Sequence, residues 1–465
     1  MKMFHKKLSI FLIFLIVVLS SACNSATPPE TSLGEQLATE PVTSVAEPTN
    51  TSVPVTPTAT SEPTDTPAST NTPTPEFEGL SVGKIGFGQD GKDVALAFMV
   101  ENPNPDYVVQ DSEYEVIAYD ADDNQLDTQE GFISFILPAQ KTAVADTMYL
   151  SSNVPVAKLD LHVKKGNFTS FNPLENEPLT IESPTYFTDE FVSTVTGIMK
   201  SSFDKDVTDI RVSAVAYNES NEIIGGGFTY VGFVPASGQT GVAINLTTNG
   251  KPVHIDIYPI LSGLSLFEDE ENTYHLNLLE YGYGQDDSQF AYGLTVENPN
   301  ETISFQSTMY QMTAYDENGI VVGTQQNYIS FMFPKEIVYV ADISFLPENV
   351  TVSTLEVHVK AGEAVEFTDV ISNPLFGVEG TLYTTSYFPK TKGIVKNTLD
   401  KDITNVRVSA ILYDANDVII GGGFGFVDMV PANGESETEV SITFNGEVTH
   451  VEIYPSISVI SELGN

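Results

Sequence analysis

The sequence contains a single cysteine, Cys23, among its 465 residues. An intramolecular disulfide is therefore impossible, and a structural zinc site built from cysteines is excluded. The folded part must be held together by apolar burial and by backbone hydrogen bonds. Tryptophan is absent too, although phenylalanine and tyrosine are abundant. This absence makes a sugar-binding platform less expected, because only the two smaller aromatic side chains could stack on a sugar.

Basic residues are scarce: 20 lysines and arginines stand against 63 acidic residues, which gives a formal net charge of -43. Phosphate backbones and anionic lipid surfaces would be repelled by such a chain. We therefore expect no nucleic-acid partner, whereas cations and basic surfaces remain possible. The simplest role of the charge is solubility.

Long apolar runs are missing except near the N-terminus. Leu8 to Ser20 is an almost unbroken apolar stretch of about 13 residues that follows three lysines. A helix needs about 20 residues to cross a bilayer, so a stable membrane span is disfavoured. Small residues separate the stretch from Cys23. This layout predicts a signal peptide over residues 1–22.

The segment Ser20-Ser21-Ala22-Cys23 resembles a bacterial lipobox, in which a small-residue stretch ends in a lipidated cysteine that becomes the mature N-terminus. Leu19 lies four residues before Cys23, where the usual pattern has it three before. The resemblance implies an exported chain, anchored by lipid on Cys23 to the outer face of the cell membrane. The expected membrane contact is therefore made through the N-terminal lipid.

Residues 23–79 contain the lipidated cysteine and a linker rich in threonine, proline and serine, as in Val55-Thr56-Pro57-Thr58. Such a composition buries too little apolar surface to offset the entropy of ordering, so we expect disorder. The recurring prolines predict an extended stalk that could reach about 150 Å. Attachment of O-linked sugars to the stalk is left open.

The remainder of the chain is a duplication. Val100-Glu101-Asn102-Pro103-Asn104 recurs 196 residues later as Val296-Glu297-Asn298-Pro299-Asn300. A weaker repeat of 98 residues relates Tyr119, Tyr217, Tyr315 and Tyr413. A unit of this length matches an immunoglobulin-type sandwich of about 100 residues. Four modules are predicted, over residues 80–176, 184–265, 272–371 and 384–462.

The modules have the pattern of β-strands. In module four, Val406, Val408, Ala410 and Leu412 alternate with Arg407, Ser409, Ile411 and Tyr413. A period of two residues puts one set in a core and the other on the opposite, wet face. Turn-forming segments such as Asp316-Glu317-Asn318-Gly319 separate these stretches. The predicted fold class is all-β, with four tandem immunoglobulin-like β-sandwich modules, in two duplicated pairs, after a disordered stalk.

Module four also resembles the FxLYD domain of exported bacterial proteins. Gly393-Ile394-Val395-Lys396-Asn397 precedes a strand ending in Leu412-Tyr413-Asp414, and Pro431-Ala432-Asn433-Gly434 follows. Ala410 occupies the position of the family's phenylalanine. Modules one and three, with their Val-Glu-Asn-Pro-Asn segments, resemble LEA14-type desiccation domains. The resemblance implies an immunoglobulin-like sandwich without general catalytic activity, and it implies no particular ligand.

Asp120, Asp122 and Asn124 are weak candidates for calcium binding, because they have the spacing of the first ligands of a calcium loop. Gln125 replaces the glycine and Gly131 the glutamate that an EF-hand requires. Since equivalent residues recur in the other modules, a hairpin turn explains the motif, with a weak calcium site as the alternative. No other metal site is expected.

Other recurring residues have structural explanations. Gly225–Gly227 and Gly421–Gly423 lack the Lys-Ser/Thr of a phosphate loop and suggest a bulge or a close strand crossing. His162, His254, His358 and His450 alternate with core residues, which predicts surface positions. The four repeated tyrosines fall on the face away from the core, where they could stack on sugars or serve as structural corner residues.

No nucleophile, base or paired acid comes together by spacing, so we expect no enzyme and no cofactor. The leading hypothesis is a non-catalytic cell-surface lipoprotein that displays its modules for binding or envelope structure. The alternative is a calcium-stabilised adhesin or carbohydrate-binding accessory protein. The protein or glycan partner is not identified by the sequence.

Overall fold

The computed structural model describes residues 77–171, 178–188, 193–262, 274–366, 376–384, 389–458 and 462–463. The predicted signal peptide 1–22, Cys23 and nearly all of the linker 23–79 lie outside these residues. The described part of the chain consists of strands and their connections, without a helix. Among these residues there is accordingly no helix with the length and hydropathy needed to span a membrane.

The strands fall into two similar pairs of modules. Module one contains β1 (Ser81–Asp90), β2 (Asp93–Glu101), β3 (Tyr107–Tyr119), β4 (Gln125–Ile136), β5 (Lys141–Tyr149), β6 (Lys158–Val163) and β7 (Asn167–Ser170). Module two contains β8 (Leu179–Thr188), β9 (Ser193–Ser201), β10 (Val207–Tyr217), β11 (Ile223–Val234), β12 (Gln239–Asn245), β13 (Thr247–Thr248) and β14 (His254–Ile260).

The second pair repeats this arrangement. Module three contains β15 (Asn277–Asp286), β16 (Gln289–Glu297), β17 (Ile303–Tyr315), β18 (Val321–Met332), β19 (Ile337–Phe345), β20 (Thr354–Lys360) and β21 (Glu363–Glu366). Module four contains β22 (Phe376–Thr384), β23 (Lys390–Asn397), β24 (Ile403–Tyr413), β25 (Ile419–Val430), β26 (Glu435–Ser441), β27 (Thr443–Phe444), β28 (His450–Ser456) and β29 (Glu462–Leu463).

Each module is a sandwich of two antiparallel sheets. In module one, β1, β2 and β5 form the first sheet, and β4, β3 and β6 form the second, where β7 also pairs with β3. The other modules follow the same scheme, and the all-β prediction of tandem sandwiches is confirmed. The fourth strand pairs with the third, whereas in the immunoglobulin constant type it belongs to the other sheet.

Two module boundaries differ from the prediction. β8 begins at Leu179, ahead of the predicted start at 184, and β22 begins at Phe376, ahead of 384. Both are first strands that pair along one edge only, with β9 and β23 respectively. β8 is mostly exposed or half-buried, so its sequence lacks the regular apolar alternation by which the other strands were identified.

The predicted core positions of module four are confirmed, but the predicted wet face is wrong. Val406 and Val408 are fully buried. Ser409, Ile411 and Tyr413 on the other face of β24 are buried as well. A period of two residues sorts side chains onto two faces, and it cannot say whether a second layer covers the outer one.

That second layer is the preceding module. The first sheet of module one packs on the second sheet of module two, and the same contact joins module three to module four. Strands β9 and β12 of module two pack on β17 and β18 of module three. The described residues from 77 onward therefore form one compact unit in which successive sheets stack face to face.

Close contact between modules requires glycine at particular positions. A Cβ atom on Gly282 of β15 would lie 2.2 Å from the carbonyl oxygen of Ile419 in module four. Within module two, a Cβ on Gly227 would lie 2.0 Å from the carbonyl oxygen of Asn245. Gly225 pairs with Ala216 of β10 and lies beside a bulge in β11, where Ile224 is the extra residue. The glycine triplet thus marks a bulge and a close strand crossing.

Replacing Gly282 with alanine should lower the free energy of unfolding by about 1–3 kcal/mol, because the backbone of module four must move away. Urea denaturation of the full chain measures the change. Gly377→Ala is the matched control, since a Cβ there meets only Lys396, at an ordinary 3.7 Å. Equal effects of the two substitutions would contradict the close contact between modules three and four.

Candidate functional site

The turn after β3 holds the residues proposed as calcium ligands. One carboxylate oxygen of Asp120 accepts hydrogen bonds from the backbone N–H groups of Asp122 and Asn124, both at 2.9 Å. The other oxygen accepts from the Asn124 side chain at 3.0 Å. Hydrogen bonds from Asn124, followed by the one from Asp122, hold the pKa of Asp120 below its ordinary value. This is the geometry of an Asx-turn.

The other modules build the same turn. Asn218, Asp316 and Asp414 each accept hydrogen bonds from the backbone N–H groups two and four residues further on. Because Asn218 does so with a neutral amide, the turn needs no metal ion. Within the described ranges, no three histidine, cysteine or acidic side chains are grouped so as to hold a metal. Calcium binding at Asp120, Asp122 and Asn124 stays a prediction.

The repeated tyrosines do not form an exposed row. Tyr217, Tyr315 and Tyr413 are buried because a preceding module covers their sheet. Tyr217, for example, packs with Ala97 and other small residues of module one. Only Tyr119 in the first module stays half-buried. Sugar stacking is therefore excluded at three of the four positions, and the tyrosines serve packing between modules.

The repeated histidines occupy two kinds of position. His162 and His254 are exposed, as predicted, whereas His358 and His450 are half-buried. The His254 ring stacks on Tyr217 with centroids 4.5 Å apart, and His450 stacks on Tyr413 at 4.7 Å. These rings cover the rims of the module interfaces.

Both arginines of the chain, Arg211 and Arg407, reach from one module into the preceding one. Arg407 donates to the carbonyl oxygen of Ala341 at 2.7 Å and lies 3.4 Å from the Asp342 carboxylate. Arg211 makes the equivalent backbone contact at 2.5 Å and lies 3.9 Å from Asp146. Each guanidinium also lies over a phenylalanine ring of its own module.

Asp342 is nearly buried, and this burial raises its pKa, while Arg407 and a hydrogen bond from Asn327 at 3.1 Å act in the opposite direction. The equivalent Asp146 accepts hydrogen bonds from the Tyr114 hydroxyl and from Gln129. A buried charge is costly without partners. The arginine of the following module supplies such a partner, so these pairs couple module one to two and module three to four.

The interface between modules two and three contains no arginine; it combines neutral groups with a partly exposed ion pair, in which Lys360 of module three lies 3.2 Å from Asp206 of module two. The Gln311 amide both donates to and accepts from the backbone of Phe233, at 2.8 Å each. The Thr313 hydroxyl accepts from the backbone N–H of Gly241 at 2.9 Å. Met309 stands where modules two and four have arginine. The stack therefore contains two kinds of interface.

The two end faces of the described stack carry charge. On the outer sheet of module one, Glu113 occupies the position of Arg211, and Glu115 lies directly opposite Glu130. On the outer sheet of module four, Lys392 contacts Glu439 and Lys396 contacts Glu379, both at 2.6 Å. Charged outer faces are typical of the terminal units of repeat proteins, which must stay soluble.

Sequence reasoning missed a second aromatic repeat. Phe132, Tyr230, Tyr328 and Phe426 are separated by 98 residues each and lie on the fourth strand of each module. They are 61%, 58%, 47% and 46% exposed. The 98-residue repeat identifies these four positions in the sequence. Their exposure could not be predicted, because it depends on how neighbouring modules pack.

Two surface depressions lie at module boundaries. One, of about 150 Å³, is lined by Thr208, Asp209, Met309 and Lys360, and the other, of about 390 Å³, includes Gln285 and Asn445. The Gln285 amide is occupied, since it bonds to the backbone of Val350 and Val352. Neither depression brings together a nucleophile with a base.

Glu336 is the described carboxyl group whose pKa is raised to about 7, from an ordinary value of 4.5, because it is withdrawn from water. Its carboxylate accepts a hydrogen bond from the Phe333 N–H at 2.7 Å, and Phe333 packs against the core of module four. Gln140 makes the equivalent bond to Leu137 in module one. A neutral group thus fits this turn.

Replacing Arg407 with methionine, the residue at the equivalent position 309, should lower the free energy of unfolding by about 3–5 kcal/mol, since Asp342 loses its cationic partner in a buried site. Chemical denaturation measures the loss. Adding Asp342→Asn should restore part of it, because the unpaired charge is then gone. A double variant that is as unstable as the sum of both single variants would contradict the pairing.

Glu336→Gln should remove a pH dependence of stability. The folded chain holds the Glu336 proton more tightly than the unfolded chain, so the free energy of unfolding falls as the pH rises from 4.5 to about 7. The variant should be more stable than the natural chain by about 1–3 kcal/mol at pH 8, and equally stable at pH 4. Denaturation at both pH values tests this, and an identical pH profile would refute it. Gln140→Glu should introduce the same slope.

The chain was compared with known proteins. No model of a protein family matches it, and no curated protein matches it either. The resemblance to FxLYD and LEA14-type domains therefore stays a prediction based on the motifs quoted above.

Proposed function

We propose that this chain is a non-catalytic surface lipoprotein that presents a stack of sandwich modules outside the cell membrane. The signal peptide 1–22 would direct export, and lipid on Cys23 would anchor the chain. The linker 23–79 would separate the modules from the membrane surface.

The observation that carries this proposal is the face-to-face packing of the modules. Buried side chains fill the space between modules one and two and between modules three and four. Gln311 and Thr313 fix module two to module three. Surface residues on different modules therefore keep fixed mutual positions, which favours a display or spacer role over independent binding units.

The chemistry of the described residues supports a structural role. Three buried or partly buried polar groups of the interfaces are engaged with each other or with backbone atoms: Arg407, Asp342 and Gln311. Their conformations are fixed by packing, which suits rigid assembly. A catalytic site would need such groups to converge on a space that a substrate could enter.

Cys23→Ser should release the protein from the membrane fraction of a bacterial host and abolish its labelling by a fatty-acid analogue, because the thiol that carries the lipid is lost. Fractionation and labelling of the full chain measure this. Ser25→Ala, which leaves the thiol in place, should stay in the membrane fraction and remain labelled. A Cys23→Ser chain that remains membrane-bound, or a natural chain without label, would refute the anchor.

A further inference from the structure

The four exposed rings, which we call the aromatic row (Phe132, Tyr230, Tyr328 and Phe426), occupy equivalent positions in the four modules. They pair across the strands with Glu113, Arg211, Met309 and Arg407 respectively. Between modules one and two, Gln129 on the strand of Phe132 donates to Asp146 at 3.2 Å. Arg211 lies 3.9 Å from the same carboxylate and donates to the Tyr230 hydroxyl at 2.9 Å. Phe132 points to the opposite face of its strand from Gln129 and lies beside Glu113 on the outer face of module one. Tyr230 lies at the equivalent place on module two, beside Arg211 and this polar cluster.

The row continues through the next two interfaces. The backbone N–H of Gly232, two residues after Tyr230, donates to Gln326, two residues before Tyr328, at 2.7 Å. Between modules three and four, Asn327 beside Tyr328 donates to Asp342, which contacts Arg407. Arg407 pairs across the strands with Phe426. One module is two sheets thick, so neighbouring rings are separated by about 20 Å.

The surroundings of the rings are polar. Phe132 lies opposite Glu113 on the neighbouring strand, and Phe426 is followed two residues later by the exposed Asp428. A protein partner generally needs a contiguous apolar centre surrounded by a polar rim, and rings this far apart do not form one. A pyranose has an apolar C–H face of about the size of one aromatic ring and a rim of hydroxyl groups. Isolated rings in a polar setting therefore match sugars.

The charge of the chain narrows the ligand class. A net charge of -43 repels polyanions. The arginines nearest the rings are engaged in the interfaces and contact Asp146 and Asp342. An uncharged polymer meets no such repulsion. A repetitive, extended polymer also matches a surface that offers the same side-chain type once per module.

We infer that the aromatic row binds a single extended, neutral polysaccharide, with one ring stacked on one sugar in each module. This inference rests on the proposed display function, because rigid stacking is what keeps the four rings in register. Each ring alone binds weakly, and simultaneous contact with several rings multiplies the affinity.

The test measures binding of the full chain to soluble β-1,3-glucan, hydroxyethyl cellulose and dextran by affinity gel electrophoresis. At least one of these neutral polymers should retard the protein. Phe132→Ala, Tyr230→Ala, Tyr328→Ala and Phe426→Ala should each weaken binding about three- to tenfold, and the fourfold variant should abolish it. Phe132, Tyr328 and Phe426 are exposed, so their variants should unfold at the denaturant concentration of the natural chain. Tyr230→Ala also removes a hydrogen bond from Arg211, so Tyr230→Phe, which keeps the ring and should keep binding, is measured beside it.

Matched controls are Tyr149→Ala and Phe345→Ala. These rings are 68% and 59% exposed, are related by the 196-residue repeat, and end the fifth strands of modules one and three, whereas the row lies on the fourth strands. They should leave binding unchanged. Oligosaccharides shorter than about 20 Å should bind much more weakly than longer ones, because they reach only one ring.

Retardation by none of the three neutral polymers would overturn the inference, as would equal losses in row and control variants or preferential binding of an anionic polysaccharide. Anchoring through Cys23 is measured separately. A chain that is membrane-anchored and yet binds no neutral polymer would keep the proposed display function and remove the polysaccharide. A chain that binds the polymer without being membrane-anchored would keep the polysaccharide inference and refute the lipid anchor.

Discussion

The structure depends on the close packing of sheets that are buried on both faces. Packed sheets ordinarily lie about 10 Å apart, and the closer backbone contacts between these modules are possible only where the facing side chains are small. Ala97, Ala145 and Gly226 meet between modules one and two, and Gly422 lies against Ala341 between modules three and four. Larger residues at these positions would separate the modules. The glycines and alanines of the outer faces therefore determine that the sandwiches stack, and stacking determines which side chains remain at the surface.

At the ends of the described stack, positions that are covered in the inner modules face water instead. Arg211 and Glu113 are equivalent by the 98-residue repeat, but only Arg211 has a preceding module with a carboxylate to contact. At one end of the described stack glutamate replaces arginine, and at the other end Lys392 and Lys396 lie on the outer sheet of module four. These charges would be costly to bury beneath a further module. The charge pattern thus encodes which faces are internal and which face water.

The fold could be predicted from the sequence, because alternation and repeat length depend on local geometry that every module shares. The stacking of the modules could not be predicted, because a period of two residues assigns side chains to the two faces of a sheet without indicating what covers each face. Tyr119 and Tyr217 occupy the same position in the repeat, yet only Tyr217 is buried. For the same reason, the sequence pattern predicted exposure for the repeated tyrosines, which are mostly buried, and did not predict it for the aromatic row. The residues that distinguish covered from uncovered faces are the two arginines and the opposed glutamates Glu115 and Glu130. They indicate this only when equivalent positions of all four modules are compared.

The two kinds of interface explain why the 196-residue repeat is stronger than the 98-residue one. The modules within each pair are joined by an arginine and an aspartate, Arg211 with Asp146 and Arg407 with Asp342. Removing either residue of such a pair leaves the other polar group buried without its partner. Gln311 and Thr313, which join the pairs, bond to backbone atoms of module two, and the ion pair of Lys360 with Asp206 at this interface is partly exposed. A unit of two modules is therefore the smallest piece in which all the buried charges are matched. Duplicating that unit copies the arginine–aspartate interface, and the new interface between the pairs forms through neutral hydrogen bonds and a partly exposed ion pair.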